Sequence, residues 1–271
     1  MRILIATGGA PHSDVAVRMG SLIHQMVGGS LTLLTVIKHD VERAQAEAIL
    51  VRAKILTAVA ITDMQTRVRT GRPAEEIAAE AREGEYDLVI VGERIQHGLA
   101  RRLLAPTAER IIARMPCPVL IARGQPRPLR RVLVCEGGRD PSLLSRLITR
   151  LSLLLKHVNE LTVLHVMSQI AAAPGVPGWE LRAGAEELMQ KHTPEGNLLE
   201  NDLARLEKLN VRLDAKVRHG LVVNEILAEA RSGDYDLVVI GAHQGKGWER
   251  FLLDDLAHEI ISHADRPLLV V

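Results

Sequence analysis

Two glycine pairs, Gly8-Gly9 and Gly137-Gly138, close the aliphatic runs RILIATGG and RVLVCEGG. A glycine pair there permits a sharp turn from strand into helix, and it also leaves room for a ligand against bare backbone. Gly92 and Gly241 close a second kind of run, YDLVIVG and YDLVVIG. Around the first of these stand Arg94, Arg101 and Arg102, with Gly98 among them. Guanidinium groups grip phosphate through paired hydrogen bonds, so these residue types suit an anion seat. They equally suit a solvated loop and helix surface. After the second run, Gly245-Lys246-Gly247 offers a weaker version of the same chemistry, because the carboxylates of Asp254 and Asp255 repel an anion. A GxG this short is no dinucleotide fingerprint.

Other reactive residue types read as structure. His12-Ser13-Asp14 holds the three types of a hydrolase triad, yet sequence neighbours cannot aim in line, and Ser13, like Ser142, suits a helix cap. Asp254 and His258 stand four apart, near Asp255 and His263, with no third ligand implied, so no metal site is expected. His165 falls within an aliphatic strand as a core histidine. Trp179 and Trp248 suit either a lid or a local core cover. Cys117 and Cys135 show no metal or disulfide spacing. No catalytic residue is assigned.

Composition narrows the partners. The net charge of +1, from 34 basic and 33 acidic residues, gives no electrostatic footprint for nucleic acid or an anionic membrane. With 2% aromatic residues, the stacking platforms for single strands are missing as well. Met1 runs straight into a strand-like segment rather than a leader, and no apolar run is long enough to span a bilayer. A soluble, cytoplasmic setting is expected.

The elements that must position these residues occur twice. GRPAEEIAAEAREGEYDLVIVG and GLVVNEILAEARSGDYDLVVIG align without a gap at an offset of 149, Gly71 to Gly220. The opening runs align at 129, Arg2 to Arg131, so the second copy holds 20 more residues. Such self-similarity is a duplication. The extra residues are placed in Ser168 to Gly196, read as a long loop carrying one short helix at Glu180 to Lys191. Residues 1–123 and 130–271 form the two domains, with 124–129 as a stiff linker. In the first copy, strands are expected at Ile3–Thr7, Leu31–Ile37, Gln65–Arg69, Leu88–Val91 and Pro118–Ile121. Helices are expected at Ser13–Val27, Val41–Ala60, Ala74–Arg82 and Arg102–Arg114, with Gly84 as a left-handed helix end. Alternation of this kind implies a parallel sheet with right-handed crossovers.

In this order, twice, the strings ILIATGG and VLVCEGG, LTLLTV and LTVLHV, YDLVIVG and YDLVVIG, CPVLIA and RPLLVV resemble the universal stress protein family. The resemblance covers nearly the whole chain apart from the linker and the insert. It implies two tandem doubly wound, five-stranded, Rossmann-like α/β domains of strand order 3-2-1-4-5, with a ligand seat where the winding reverses. Members that bind ATP or AMP carry Gly-x2-Gly-x9-Gly-Ser/Thr after the fourth strand, an acid after the first strand, and adenine contacts at the end of the second. Carried onto this chain, the seat comprises Thr7, Gly8, Gly9, Val36 and Gly92 in the first copy. In the second copy it comprises Glu136, Gly137, Val166 and Gly241.

The motif is altered in both copies. Ile95 and Gln244 replace the second glycine, Ala105-Pro106 and Asp254-Asp255 replace the last pair, and Gly8 and Gly137 stand at the acid, with Glu136 beside the latter. The expectation is a non-catalytic stress-response protein with degenerate nucleotide motifs. The alternative is an ATP- or AMP-binding regulator using Arg94, Arg101 and Arg102, with slow hydrolysis. The family further implies an internal pseudo-dimer through Pro118–Ile121 and Pro267–Val270, and a homodimer of chains. Any protein partner is unspecified.

Overall fold

The short aliphatic runs become strands because both of their faces are covered. The computed structural model describes residues 1–57, 64–93, 107–137, 142–168, 178–180, 182–241 and 255–271. The first copy runs β1 (Arg2–Ala6), α1 (Pro11–Val27), β2 (Ser30–Ile37), a 3-10 turn (Asp40–Glu42), α2 (Arg43–Leu56), β3 (Met64–Thr70), α3 (Pro73–Glu83), β4 (Leu88–Gly92), α4 (Thr107–Ile112) and β5 (Val119–Ala122). The second begins with β6 (Arg131–Glu136), α5 (Leu143–Leu155), β7 (Glu160–Met167), α6 (Ala185–Gln190) and α7 (Pro194–Leu206). It continues with β8 (Arg212–His219), α8 (Val222–Ser232), β9 (Leu237–Ile240), α9 (Asp255–His263) and β10 (Leu268–Val270).

The chain divides into two units. The first holds Met1–Pro128 and, among its described residues, Asp265–Val270. Its parallel strands follow the order 3-2-1-4-5, from β3 through β2, β1 and β4 to β5. β10 lies in this same unit and pairs antiparallel with β5, Leu268 opposite Ile121 and Val270 opposite Val119. Ile3, Leu4 and Ile5 of β1, Leu33 of β2 and Ile90 of β4 are fully buried at the centre of the sheet. The second unit repeats the arrangement, with β6 between β7 and β9 and β8 beyond β7, all parallel.

The repeated block earns its recurrence through a polar clamp under each α3-type helix. Arg69 on β3 reaches Glu76, Glu80 and Glu83 of α3, and Tyr86 donates to Glu80. In the second unit, Arg218 bonds Glu225 and Glu229, while Lys216 and Tyr235 both donate to Glu229. Burial pushes both tyrosine hydroxyls above their ordinary range. Burial alone would raise the Glu229 carboxyl too, but its bonds to Lys216, Arg218 and Tyr235 outweigh this and hold it below the usual range. The aspartate that follows each tyrosine ties the strands' starts together. Asp87 accepts from the Arg2 backbone at 2.7 Å, and Asp236 accepts from the backbones of Arg130 and Arg131 at 2.8 Å.

Four readings change. Gly84 is not left-handed; its φ is −91°, as is that of Gly233, and Glu85 takes the positive φ of 47° instead. Glycine is required there because a Cβ would stand 2.1 Å from the Tyr86 ring, or 2.2 Å from that of Tyr235. Pro194-Glu195-Gly196, read as loop, is the first turn of α7, capped by the Thr193 hydroxyl, with Pro194 at the position where a missing N–H costs nothing. The short helix of the insert is trimmed to Ala185–Gln190. Ser13 is no cap, because α1 starts earlier, at Pro11, with Ala10 before it. Parts of two expected helices, residues 58–60 and 102–106, lie outside the described residues.

Candidate functional site

In a doubly wound sheet the seat lies beyond the carboxyl ends of the strands flanking the reversal, here β1 and β4 in the first unit and β6 and β9 in the second. In the first unit Thr7 is buried and turned inward. Its hydroxyl donates to Ser13 at 3.3 Å, and its carbonyl accepts from Thr35 at 3.0 Å. Gly8 faces open space, with nothing within 4 Å of where a Cβ would stand. Gly9 adopts φ +75° and lies against Ile49 of α2. The N-cap of α1 is Ala10, which offers no side-chain oxygen, so the helix start has no side-chain cap. Gly92 brings β4 against that same first turn, where a Cβ would stand 2.0 Å from the His12 carbonyl. Half-exposed Arg52 spans the rim, donating to the Gly9 carbonyl and pairing with Asp14. Val36, one residue before the end of β2, is in register with Arg69. Arg94, Gly98, Arg101 and Arg102 lie outside the described residues.

His12, Ser13 and Asp14 do not line up. Ser13 donates to the Ala10 carbonyl at 2.7 Å, and Asp14 is turned to Arg52.

The second unit fills the same place with its own side chains. Glu136 is buried and folds back over the helix start, accepting from Gly137 N at 3.0 Å and Leu144 N at 3.1 Å. The carboxylate that stood as a stand-in nucleoside acid is therefore used as a helix cap. Arg146 donates to the Val271 carbonyl at 2.9 Å and lies over Gly241, its Nη2 at 2.9 Å from a Cβ position there. Gly137 still faces open space, as Gly8 does. Val166, one residue before the end of β7, is in register with Arg218, and His165 meets the Glu136 carbonyl at 3.2 Å.

Sequence reasoning missed Asp202. This α7 carboxylate is fully buried, and among the described residues neither oxygen accepts a hydrogen bond. Arg205, at 3.6 Å, turns its guanidinium to Ser142 and Ser145 instead, at 2.9 and 3.0 Å. Burial, reinforced by the charge of Glu136 and opposed by Arg205, pushes Asp202 up to about 6. Only its place among the leucines of α7 hinted at burial. Arg146 gave no sequence signal at all.

One cavity of about 590 Å3 lies elsewhere in the first unit, at the amino ends of β1 and β2, lined by Arg2, Ser30, Thr32, Arg67, Arg69 and Tyr86. It is the open side of the polar clamp rather than the switch point. The Lys191 ammonium lies 3.5 Å from the centre of the Trp179 ring. Trp248 and Asp254 lie outside the described residues. Among the described residues no cluster of three metal-ligating side chains occurs, and no helix is long and apolar enough to cross a membrane.

A model of the universal stress protein family matches residues 1–123 and again 128–271. A universal stress protein of Methanocaldococcus jannaschii is 30% identical over 105 residues, which is 39% of this chain and 59% of that protein's length. Another, from Thermus aquaticus, is 26% identical over 137 residues, covering 45% of this chain and 97% of that one. The crystal structure of a universal stress protein from Archaeoglobus fulgidus shares the fold at a TM-score of 0.71 and 17% identity, covering 99% of this chain and 95% of that one.

Proposed function

This chain belongs to the universal stress protein family, matching it twice along its length, and from that premise we propose a non-catalytic stress-response protein with one working ligand seat. The first unit takes an adenine nucleotide; the second does not. The observation that carries this is the contrast between the two helix starts. α1 begins with no side-chain cap beside open Gly8, whereas α5 begins under the Glu136 carboxylate, with Arg146 across Gly241. An anion is favoured at the first, where helix N–H groups and dipole point outward, and is displaced at the second by a resident carboxylate. Ser13, turned to the Ala10 carbonyl, and Asp14, turned to Arg52, support a binding rather than a hydrolytic role.

The domains proposed are 1–123 and 130–271. They form an internal pseudo-dimer, supported by the pairing of β10 with β5 in the first unit. Two chains then associate as a homodimer, in a cytoplasmic setting.

The test is calorimetric titration of ATP and AMP into stripped protein, with mass spectrometry of what the purified chain carries. One nucleotide per chain is expected. Gly8→Leu, which fills the open space without requiring a positive φ, should abolish it, and Gly137→Leu should leave it unchanged. Absence of any bound nucleotide or heat would leave a partner-binding scaffold. Loss of binding in Gly137→Leu alone would reverse the assignment of units.

A further inference from the structure

We propose that the outer face of α2 is the seam through which two copies of this chain pair, an inference that rests on the homodimer reading above and names its surface. α2 turns Ala46, Leu50 and Ala53 inward. Its opposite face carries Ala44, Ala48, Val51 and Ile55, all exposed, with Val51 at 58% and Ile55 at 78%. Val41, at 88%, extends the patch across the preceding turn. The spacing of four, three and four residues is the a and d repeat of a helix that packs against another helix.

The second unit supplies an internal comparison. Arg52 of α2 and Arg205 of α7 play the same part, each reaching from the second helix to the first turn of the first helix. Aligned on these arginines, Ala44, Ala48, Val51 and Ile55 fall on Asn197, Asn201, Ala204 and Lys208. The fold does not require an apolar stripe there, because one copy of the duplicated helix has replaced most of it with polar residues.

Charge selects the occupant. In an antiparallel pair about a twofold axis, Ala48 opposite the partner's Val51 also places Ala44 opposite the partner's Ile55, small against large in every layer. The same register sets Glu47 beside the partner's Lys54, twice by symmetry. Among the described residues Lys54 has no carboxylate partner within its own chain, and Glu47 has only an exposed contact to Arg43 at 3.9 Å. The face is thus self-complementary in both shape and charge.

Sedimentation equilibrium on the full chain tests this. The wild type should have the mass of two chains. Val51→Glu/Ile55→Glu should weaken association by about a hundredfold or more, since both side chains leave water in the pair. Glu47→Lys should also dissociate it, and adding Lys54→Glu to that variant should restore it; these are surface positions, so the monomer's melting temperature should not move. A wild type with the mass of one chain overturns the homodimer and the seam together. A two-chain mass that survives Val51→Glu/Ile55→Glu, or a charge swap that restores nothing, overturns the seam and leaves the homodimer to another surface.

Discussion

Asp202 shows how much a single buried side chain can set at the residue scale. Its ordinary value of 3.8 rises to about 6, first because burial strips the carboxylate of water and then because Glu136 is nearby. The sign follows from which state holds the proton more tightly. The folded chain does, so this group's contribution is most favourable below 3.8 and is lost as pH rises through about 6. The cost above that window is on the order of 2–3 kcal/mol. Asp202→Asn should therefore raise the melting temperature at neutral pH and flatten the stability profile between about pH 4 and 6, measured by thermal melts across that range. An unchanged slope would mean that Asp202 titrates normally. Arg205 stays close without closing because Ser142, the cap of α5, and Ser145 hold its guanidinium.

Between β3 or β8 and the helix that follows, charge and packing cannot be separated. Glu229 is buried, and it is the acceptor shared by Lys216, Arg218 and Tyr235. Glu229→Ala would leave two cations and a phenol around an apolar gap, at a cost of about 2–3 kcal/mol, below the range for fully buried pairs because the cations are partly exposed. Urea unfolding should show it as a fall in midpoint at constant slope. Glu83→Ala is the matched control. Glu83 also bonds Arg69 but is largely exposed, and its removal should not move the midpoint. Equal effects from both would mean that the clamp acts as surface charge. The tyrosine and aspartate of each YDLV run prove to be a donor to the clamp's glutamate and the tie between strand starts.

At the scale of the whole molecule, the last strand carries the argument. Leu268 is fully buried, and β10 pairs with β5 inside the first unit. A carboxylate at that position would sit unpaired among apolar side chains, costing about 4 kcal/mol or more. Leu268→Asp, or Val119→Asp on the facing strand, should lower the melting temperature and enlarge the hydrodynamic radius. A variant with both unchanged would show that the pairing contributes nothing to the fold. Without β10, β5 would present an open apolar edge, which proteins cover or charge.

Much of this was legible in the residues alone. The duplication and the glycine turns follow from short aliphatic runs recurring at fixed offsets, because periodicity and turn chemistry are local, whereas the strand order of the first copy was implied only by the family resemblance those runs carry. Ser142 as a cap was local too, whereas His165, expected in the core, is only half-buried and meets the Glu136 carbonyl. The left-handed reading of Gly84 failed because a ring two residues on, not the backbone, demands glycine there. Folding in three dimensions alone decided that Glu136 caps α5, that Arg146 covers Gly241, and that Asp202 is buried beside them. Each of these depends on which side chain from a distant element arrives at the strand end first, and no spacing along the chain encodes that arrival.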